Sequence, residues 1–284
     1  MLMRPKYPIY IPSKGRWDSR HTARKLKEMG VDYRLVVEAG EYEKYARHED
    51  ENNLLVRPES CPSLASVPTR NFIWEHAKSA GARRHWCIDD NINGFMRLNR
   101  NRRTPCRSGA IFRAVEDFVD RYSNIALAGL EYRFMSGGAR RKKPPYRINT
   151  RIYSCILLDT LMPFRWRGWC NEDTDLSLRV LKDGRATVLF NAFLCNKAAS
   201  MTVKGGNTDA LYSQHDDNDP RKAISESLRT QHPDCVEVVR RWGRFHHHID
   251  YRPFRNNPLT RRPDYSVKEG VDEFGMILRR TGER

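Results

Sequence analysis

The sequence of 284 residues lacks any long hydrophobic run. Its most apolar stretches, residues 154–158 and 186–194, are far shorter than the roughly 20 apolar residues that a membrane-spanning helix needs. The first residues contain no apolar stretch of the length found in a secretory signal. We therefore expect no membrane span and no export, and we predict a cytoplasmic location.

Cysteine pairs at metal-binding or disulfide spacing are also missing. The seven cysteines are odd in number and widely scattered, and none forms a Cys-x-x-Cys pair with another. The sequence therefore predicts neither a zinc site nor a disulfide framework. Such a pattern is typical of proteins in a reducing compartment.

Acidic charge is scarce, because 35 Asp and Glu stand against 51 Lys and Arg, for a net charge of +16. Hydrophobic residues still make up 39% of the chain, enough for a folded core. A basic excess of this size indicates a polyanionic partner. Ordinary solvated surface is the alternative interpretation.

The basic residues gather within residues 97–107, 140–151 and 240–262, and the third cluster also contains Trp242. Arginines mixed with aromatic side chains are typical of surfaces that hold phosphates and stack on bases. We interpret the clusters as a nucleic-acid surface and expect the first two to be exposed loops. The candidate nucleic-acid contacts are Arg102, Arg103, Arg140, Arg141, Lys142, Lys143 and Arg147.

Apolar strand patterns alternate with helical patterns through the first half of the chain. The predicted strands are residues 7–11, 33–37, 54–56 and 85–88, and the predicted helices lie between them. This repetition predicts an α/β fold with a Rossmann-like, mostly parallel sheet whose ligand lies beyond the carboxyl ends of the strands.

The second half is expected to be mixed, with antiparallel strands within residues 146–158 and a helix over residues 174–182. We predict one main domain over residues 1–250. Residues 251–284 form a basic extension that packs on this domain or trails from it.

Two adjacent carboxylates, Asp89 and Asp90, follow the apolar strand at residues 85–88. Neighbouring carboxylates at a strand end repel each other, and a hard divalent cation such as Mg²⁺ or Mn²⁺ relieves that repulsion. The alternative is an exposed acidic turn. The strand before the pair favours a metal site formed with a diphosphate ligand.

A second acidic pair, Glu172 and Asp173, directly precedes the predicted helix and follows a tryptophan-rich segment. Acidic residues at a helix start are commonly capping residues. The aromatic segment beside them instead favours a substrate pocket in which one carboxylate is a general base. Farther along, Gly205 and Gly206 permit close approach of backbone N–H groups to a diphosphate, although a simple turn explains them equally well.

These motifs together resemble the GT-A nucleotide-sugar glycosyltransferases. The resemblance consists of Pro12-Ser13-Lys14-Gly15-Arg16 after the first strand, Arg70-Asn71 in a helix, Asp89-Asp90-Asn91 after a strand, and Asn171-Glu172-Asp173 at a helix start. Within that superfamily the chain is most similar to the phage TET-associated glycosyltransferases, and the similarity covers about its first two-thirds. These enzymes are thought to attach sugars to 5-hydroxymethylpyrimidines in phage DNA.

The resemblance implies roles for individual residues. It makes Pro12, Ser13 and Arg16 the loop that holds the nucleotide, and Arg70 a basic contact near the uracil and diphosphate. It makes Asp89 a ribose contact and Asp90 the metal ligand, while Asn91 departs from the commoner Asp-x-Asp pattern.

Asp173 matches the catalytic base, with Glu172 beside it, which implies an inverting transfer. The expected activity is a Mn²⁺- or Mg²⁺-dependent transfer from a UDP-sugar to a hydroxymethylated base in DNA. One alternative is a GT-A transferase with a glycan, protein or lipid acceptor. Another is a non-catalytic nucleic-acid-binding protein on a degenerate transferase scaffold.

Overall fold

A computed structural model describes residues 3–61, 66–99, 102–136, 144–198 and 219–265. These residues form a ten-stranded sheet with helices packed against it, and a separate two-stranded hairpin. The strand order in the sheet is β3-β2-β1-β4-β9-β7-β10-β5-β6, and β8 pairs with β10 off this path. No helix among these residues has both the length and the apolarity to cross a bilayer.

The first part of the chain builds four parallel strands. They are β1 (Ile9–Pro12), β2 (Arg34–Glu38), β3 (Leu54–Arg57) and β4 (Arg84–Ile88). The helices between them are α1 (His21–Glu28), α2 (Tyr42–Ala46) and α3 (Val67–Ser79). The alternation predicted for this part of the chain is confirmed.

Both faces of β1, β2 and β4 are buried, which explains their continuous apolar sequence. In β1, Ile9 and Ile11 pack into one hydrophobic cluster and Tyr10 packs into the cluster on the opposite face. In β2, Leu35 and Val36 divide between the same two clusters. This part of the sheet is therefore a middle layer, and its central strands can be reached by a ligand at their ends.

The second part is mixed, as predicted. Its strands are β5 (Ile92–Asn99), β6 (Arg102–Pro105), β7 (Ile125–Tyr132), β8 (Tyr146–Ile148), β9 (Cys155–Asp159) and β10 (Ala186–Lys197). Only β5, β8 and β9 run against the direction of β1 within the described sheet. The α/β fold class with a mostly parallel sheet and a mixed second half is confirmed.

The expectation that residues 97–107 form a loop is wrong. Arg97 lies in β5 and pairs with Thr104 of β6, and Arg103 pairs with Leu98. β6 is exposed along its whole length and lies at the edge of the sheet. Its arginines suit an edge strand, since charged side chains prevent further strands from adding there.

β9 lies between β4 and β7 and is antiparallel to both. At Gly129 of β7, an added Cβ would lie 2.5 Å from the carbonyl oxygen of Cys155 and 2.4 Å from Ile152 Cγ2. The lack of a side chain at Gly129 therefore lets the segment leading into β9 approach β7 closely. This segment contains Ser154, a residue of the site described below.

Three further helices complete the described part of the molecule: α4 (Ala110–Val119), α5 (Glu172–Lys182) and α6 (Pro220–Gln231). The hairpin consists of β11 (Val236–Arg241) and β12 (Arg244–Ile249). After the hairpin, the Asn257 side chain donates to the carbonyl oxygens of Leu181 (2.7 Å) and Arg185 (2.9 Å). The described start of the predicted extension therefore packs on the main domain.

Candidate active site

The topology collects polar groups at one edge of the sheet. β1, β4, β7 and β10 run in the same direction, so their carboxyl ends share this edge. Because β9 runs the other way, the residue before it, Ser154, lies at the same edge. Ser13 follows β1, Asp89 follows β4, and Lys197 ends β10. This edge is the usual ligand position in open α/β sheets.

Asp90 is enclosed by the loop after β1 and is 6% exposed. Its carboxylate pairs with the Arg16 guanidinium and accepts a hydrogen bond from Ser13 Oγ (2.8 Å). The Tyr45 hydroxyl lies 2.8 Å from Ser13 Oγ and accepts from the backbone N–H of Arg16 (3.1 Å). Burial raises the pKa of Asp90 above its ordinary value, although Arg16 opposes this. The predicted loop residues Ser13 and Arg16 thus converge on Asp90, while Pro12 is the last residue of β1.

Asp89 lies between two cations. Its Oδ1 accepts from Arg70 Nη2 (2.9 Å), and its Oδ2 accepts from Lys197 Nζ (2.8 Å). Lys197 Nζ also lies 2.8 Å from Ser154 Oγ. Burial alone would raise the pKa of Asp89, but Lys197 and Arg70 lower it to about 2. Asp89 is therefore ionised across the physiological pH range.

Lys197 is a site residue that the sequence analysis missed. Burial alone would lower its pKa, but the Asp89 carboxylate raises it above its ordinary value. The sequence feature that could have indicated Lys197 is its position shortly after the apolar run at residues 186–194, where a strand is expected to end. Nothing in the sequence pairs it with Asp89.

Arg70 projects from α3 into the same site and is 6% exposed. Its guanidinium carbon lies 4.7 Å from the centre of the Trp166 ring, and its Nε lies 3.9 Å from Glu172 Oε1. Arg70 Nε and Nη1 have no hydrogen-bond partner among the described residues. Buried guanidinium donors without partners are unfavourable unless an anionic ligand binds them.

Glu172 and Asp173 lie inside the first turn of α5, which begins two residues earlier than predicted. Asn171 precedes them in the left-handed conformation, with φ of 53°. Glu172 accepts a hydrogen bond from Ser66 Oγ, and Asp173 Oδ1 accepts from the backbone N–H of Thr174 (2.7 Å). Both acids therefore lie in the first helical turn, where the helix dipole stabilises negative charge, but α5 begins without a side-chain cap hydrogen bond.

Helix capping does not account for the electrostatics of Asp173. Burial and the like charge of Glu172 raise the pKa of Asp173 to about 6. The charge of Asp89 raises it further, whereas Arg70 and Lys197 oppose the shift. Arg70 lies 2.9 Å from Asp89 and 3.9 Å from Glu172, so the two acidic pairs belong to one site. A carboxylate with a pKa near neutrality is suited to accept a proton.

Asp175, two residues along the same helix, has a different environment. It is fully buried and accepts hydrogen bonds from Arg179 Nε (2.8 Å), Arg167 Nη2 (2.9 Å) and His232 Nε2 (2.9 Å). Burial alone would raise its pKa, but these partners lower it. This network joins α5 to the segment after α6 and to the tryptophan-rich segment before α5.

Of the predicted nucleic-acid contacts, the three that the structure describes lie on two strands, β6 and β8. Arg102 and Arg103 are exposed on β6, and Arg103 Nε donates to Ser136 Oγ (3.0 Å). Arg147 on β8 donates to Glu131 Oε2 (2.7 Å), a buried carboxylate. The remaining predicted residues that lie outside the described part of the chain are Arg140, Arg141, Lys142, Lys143, Gly205 and Gly206.

The third basic cluster contains the β11–β12 hairpin. Trp242 and Gly243 form its turn, and both have positive φ values, 51° and 73°, as the commonest two-residue hairpin turn requires. Trp242 is 86% exposed. Arg241 and Arg244 pair across the strands on either side of the turn. The hairpin therefore presents an aromatic ring flanked by positive charge.

The fold is an α/β fold whose central sheet carries these polar groups at its carboxyl edge, the usual ligand position in such folds. The model of the TET-associated glycosyltransferase family matches residues 7–206. The chain belongs to this family and is a glycosyltransferase. The resemblance found in the sequence is confirmed.

The chain is also similar to solved structures of glucosyl-3-phosphoglycerate synthase from Mycobacterium tuberculosis. One, in complex with Mn²⁺, UDP and phosphoglyceric acid, has a TM-score of 0.47 and 9% identity, with 86% of each chain covered. Another, with Mg²⁺ and UDP, has a TM-score of 0.45 and 9% identity, covering 86% of this chain and 87% of that chain. Comparison with curated proteins gives no match.

Proposed function

We propose that this glycosyltransferase moves a sugar from a UDP-sugar to the hydroxymethyl group of a pyrimidine base in DNA. The observation that carries the proposal is the position of Asp173. Its pKa is raised to about 6 in a site that also holds two cations, the buried Arg70 and the partly buried Lys197. A base beside a positively charged pocket suits attack by a hydroxyl on a sugar diphosphate.

The donor half of the proposal rests on unused hydrogen-bond donors. Arg70 Nε and Nη1 lack partners among the described residues, and a diphosphate would provide oxygen acceptors for them. Ser13 and Arg16 hold Asp90 beside this pocket and are proposed to contact the nucleoside. Arg70 would then neutralise the charge that develops on the UDP leaving group as its bond to the sugar breaks.

A divalent metal fits the chemistry of the acidic residues at this edge. No group of three or more His, Cys, Asp or Glu side chains within the described residues is arranged to hold an ion alone. Mg²⁺ and Mn²⁺ bound to a diphosphate need only one or two protein carboxylates. Asp90 and Asp89 would supply those carboxylates. Their oxygens already accept hydrogen bonds, but each oxygen has a second lone pair. When bound, such an ion neutralises charge on the diphosphate.

In the acceptor step, the ionised Asp173 would take the proton of the base hydroxymethyl group as its oxygen attacks the sugar carbon. An attack from the face opposite the diphosphate inverts the configuration at that carbon. Glu172 would keep Asp173 basic through the repulsion of its own charge.

The DNA acceptor is supported by the net charge of +16 and by the exposed basic hairpin. Arg240, Arg241 and Arg244 lie near Trp242, the most exposed large apolar side chain among the described residues. Arginine contacts to phosphates provide affinity without sequence selectivity. Trp242 would add a stacking contact.

The experiment measures UDP release from several UDP-sugars with hydroxymethylated DNA, unmodified DNA or no DNA, each with Mn²⁺ and with EDTA. We expect hydroxymethylated DNA and Mn²⁺ together to stimulate release, and mass spectrometry to find one added sugar per modified base. Equal stimulation by unmodified DNA, or transfer to a neutral glycan with no DNA requirement, would overturn the DNA acceptor. Full activity in EDTA would overturn the metal while leaving the transfer intact.

A further inference from the structure

Three aromatic rings extend from the core to the surface beside the candidate active site. The Tyr132 ring is nearly parallel to Phe134, with centroids 5.1 Å apart at 17°, and to Tyr153, with centroids 4.6 Å apart at 21°. Tyr153 is 8% exposed, whereas Phe134 is 68% exposed. The stack therefore begins in the protein interior and ends in solvent. Phe134 therefore presents a solvent-exposed aromatic surface on which a base can stack.

The stack is joined to the carboxylates by a short chain of hydrogen bonds. The Tyr132 hydroxyl lies 2.5 Å from Ser154 Oγ, which lies 2.8 Å from Lys197 Nζ. Lys197 in turn donates to Asp89 (2.8 Å). Burial, followed by the charges of Asp89 and Asp173, raises the pKa of Tyr132. The rings are thus linked through Ser154 to Lys197 and Asp89 of the candidate active site.

Arginine side chains lie near both ends of the stack. The Arg151 guanidinium lies 5.1 Å from the centre of the Tyr153 ring. Phe134 belongs to the 3₁₀ turn Arg133–Ser136, and Arg103 Nε donates to Ser136 in the same turn (3.0 Å). The turn therefore holds the exposed Phe134 ring close to Arg103, while Arg151 lies at the buried end of the stack. This combination is typical of sites that stack a base and hold its flanking phosphates.

We propose that Phe134, supported by Tyr132 and Tyr153, is the stacking site for the acceptor base. The inference rests on the proposed function and names the form of the substrate: a pyrimidine that is unpaired or has left the duplex stacks on Phe134, with its hydroxymethyl group toward Asp173. Enzymes that act chemically on a base commonly take it out of the helix. A paired base leaves no face free to contact Phe134.

The test uses an oligonucleotide with one 5-hydroxymethylcytosine, as a single strand, as a duplex, and as a duplex with a mismatch at that base. For Phe134→Ala we expect a KM for the oligonucleotide about 10-fold to 100-fold higher, the range of base–aromatic stacking. Phe134→Trp should restore the KM to within about threefold, because tryptophan also stacks. In the wild type, the mismatch should lower the KM relative to the paired duplex, since less pairing is lost.

Leu161→Ala is the matched control, because Leu161 is 65% exposed in the turn after β9. Its oligonucleotide KM should equal that of the wild type. Calorimetric titration with UDP should give the same affinity for Phe134→Ala as for the wild type, which separates loss of the base contact from misfolding of the donor site.

The outcomes distinguish this proposal from the proposed function. If the wild type modifies the oligonucleotide and Phe134→Ala does so with unchanged KM, Phe134 is not the stacking site, and the proposed function still stands. A KM for Phe134→Trp as high as that of Phe134→Ala also overturns the stacking role. If the wild type modifies none of the three oligonucleotides, both the proposed function and the proposed stacking site are refuted.

Discussion

Asp173 and Asp175 lie two residues apart on α5, yet they occupy opposite electrostatic environments. Asp175 is fully buried and receives hydrogen bonds from Arg167, Arg179 and His232, which lower its pKa. Asp173 has a neighbouring acid instead, and its pKa is raised to about 6. The first arrangement stabilises the ionised form, and the second makes a carboxylate ready to take a proton. Burial alone therefore does not decide what a carboxylate does; the charge of its neighbours does.

The largest effect should follow from Asp173→Asn. Turnover should fall by roughly two to four orders of magnitude, the usual contribution of a general base, while UDP affinity stays near that of the wild type. Single-turnover transfer and calorimetry measure the two quantities. Turnover within a few-fold of the wild type would make Asp173 only a helix-start residue.

The same variant should not lose stability. Because the folded-state pKa of Asp173 lies above its unfolded value, its contribution to stability is present below the unfolded pKa and is lost as the pH rises through about 6. At neutral pH the asparagine removes this unfavourable charge. Urea unfolding should give a free energy equal to or above that of the wild type.

Asp175→Asn should show the opposite pattern. The substitution removes the carboxylate partner of the buried His232 and the partly buried Arg179, so the free energy of unfolding should fall by about 3–5 kcal/mol. Turnover per folded molecule should change little. Asp183→Asn, which removes a half-exposed pair with Arg185, is the control and should cost less than about 1 kcal/mol. Equal losses for the two variants would contradict the structural role assigned to Asp175.

The smallest effect concerns the pH profile. Activity should fall below about pH 6, because Asp173 is then protonated. Glu172→Gln removes the neighbouring charge that raises this pKa, so the acidic limb should move to lower pH by a fraction of a unit to about one unit. Exposed Glu43 on α2 provides the control variant, Glu43→Gln, whose limb should not move. A limb that stays in place in Glu172→Gln would show that another group sets it.

The sequence was sufficient to predict the parallel half of the fold because its strands are buried on both faces. Ile9, Tyr10 and Ile11 have no polar neighbour to obscure the pattern, and polar residues follow each strand end. β5 and β6 were missed because Arg97, Arg102 and Arg103 suggest a loop. Edge strands tolerate such residues, since one side of them faces solvent.

The acidic residues of the site were predictable, but their cationic partners were only partly so. Asp89 and Asp173 lie at the boundaries of regular elements, where polar side chains are conspicuous. Lys197 and Ser154 reach the site only because β10 lies next to β7 and β9 is reversed. Such convergence is a property of the strand order, and local patterns do not contain it.

The pairing of Lys197 with Asp89 also has a consequence for folding. These residues lie 108 positions apart in the chain, and Lys197 is at the far end of β10, a strand inside the sheet. Contacts of such long sequence separation form late, because loop closure must precede them. A nascent chain that has not yet emerged through residue 197 already contains every carboxylate of the site but lacks the lysine that balances Asp89. Lys197 therefore reaches Asp89 when β10 joins the sheet, whereas Arg70 is present earlier in the chain.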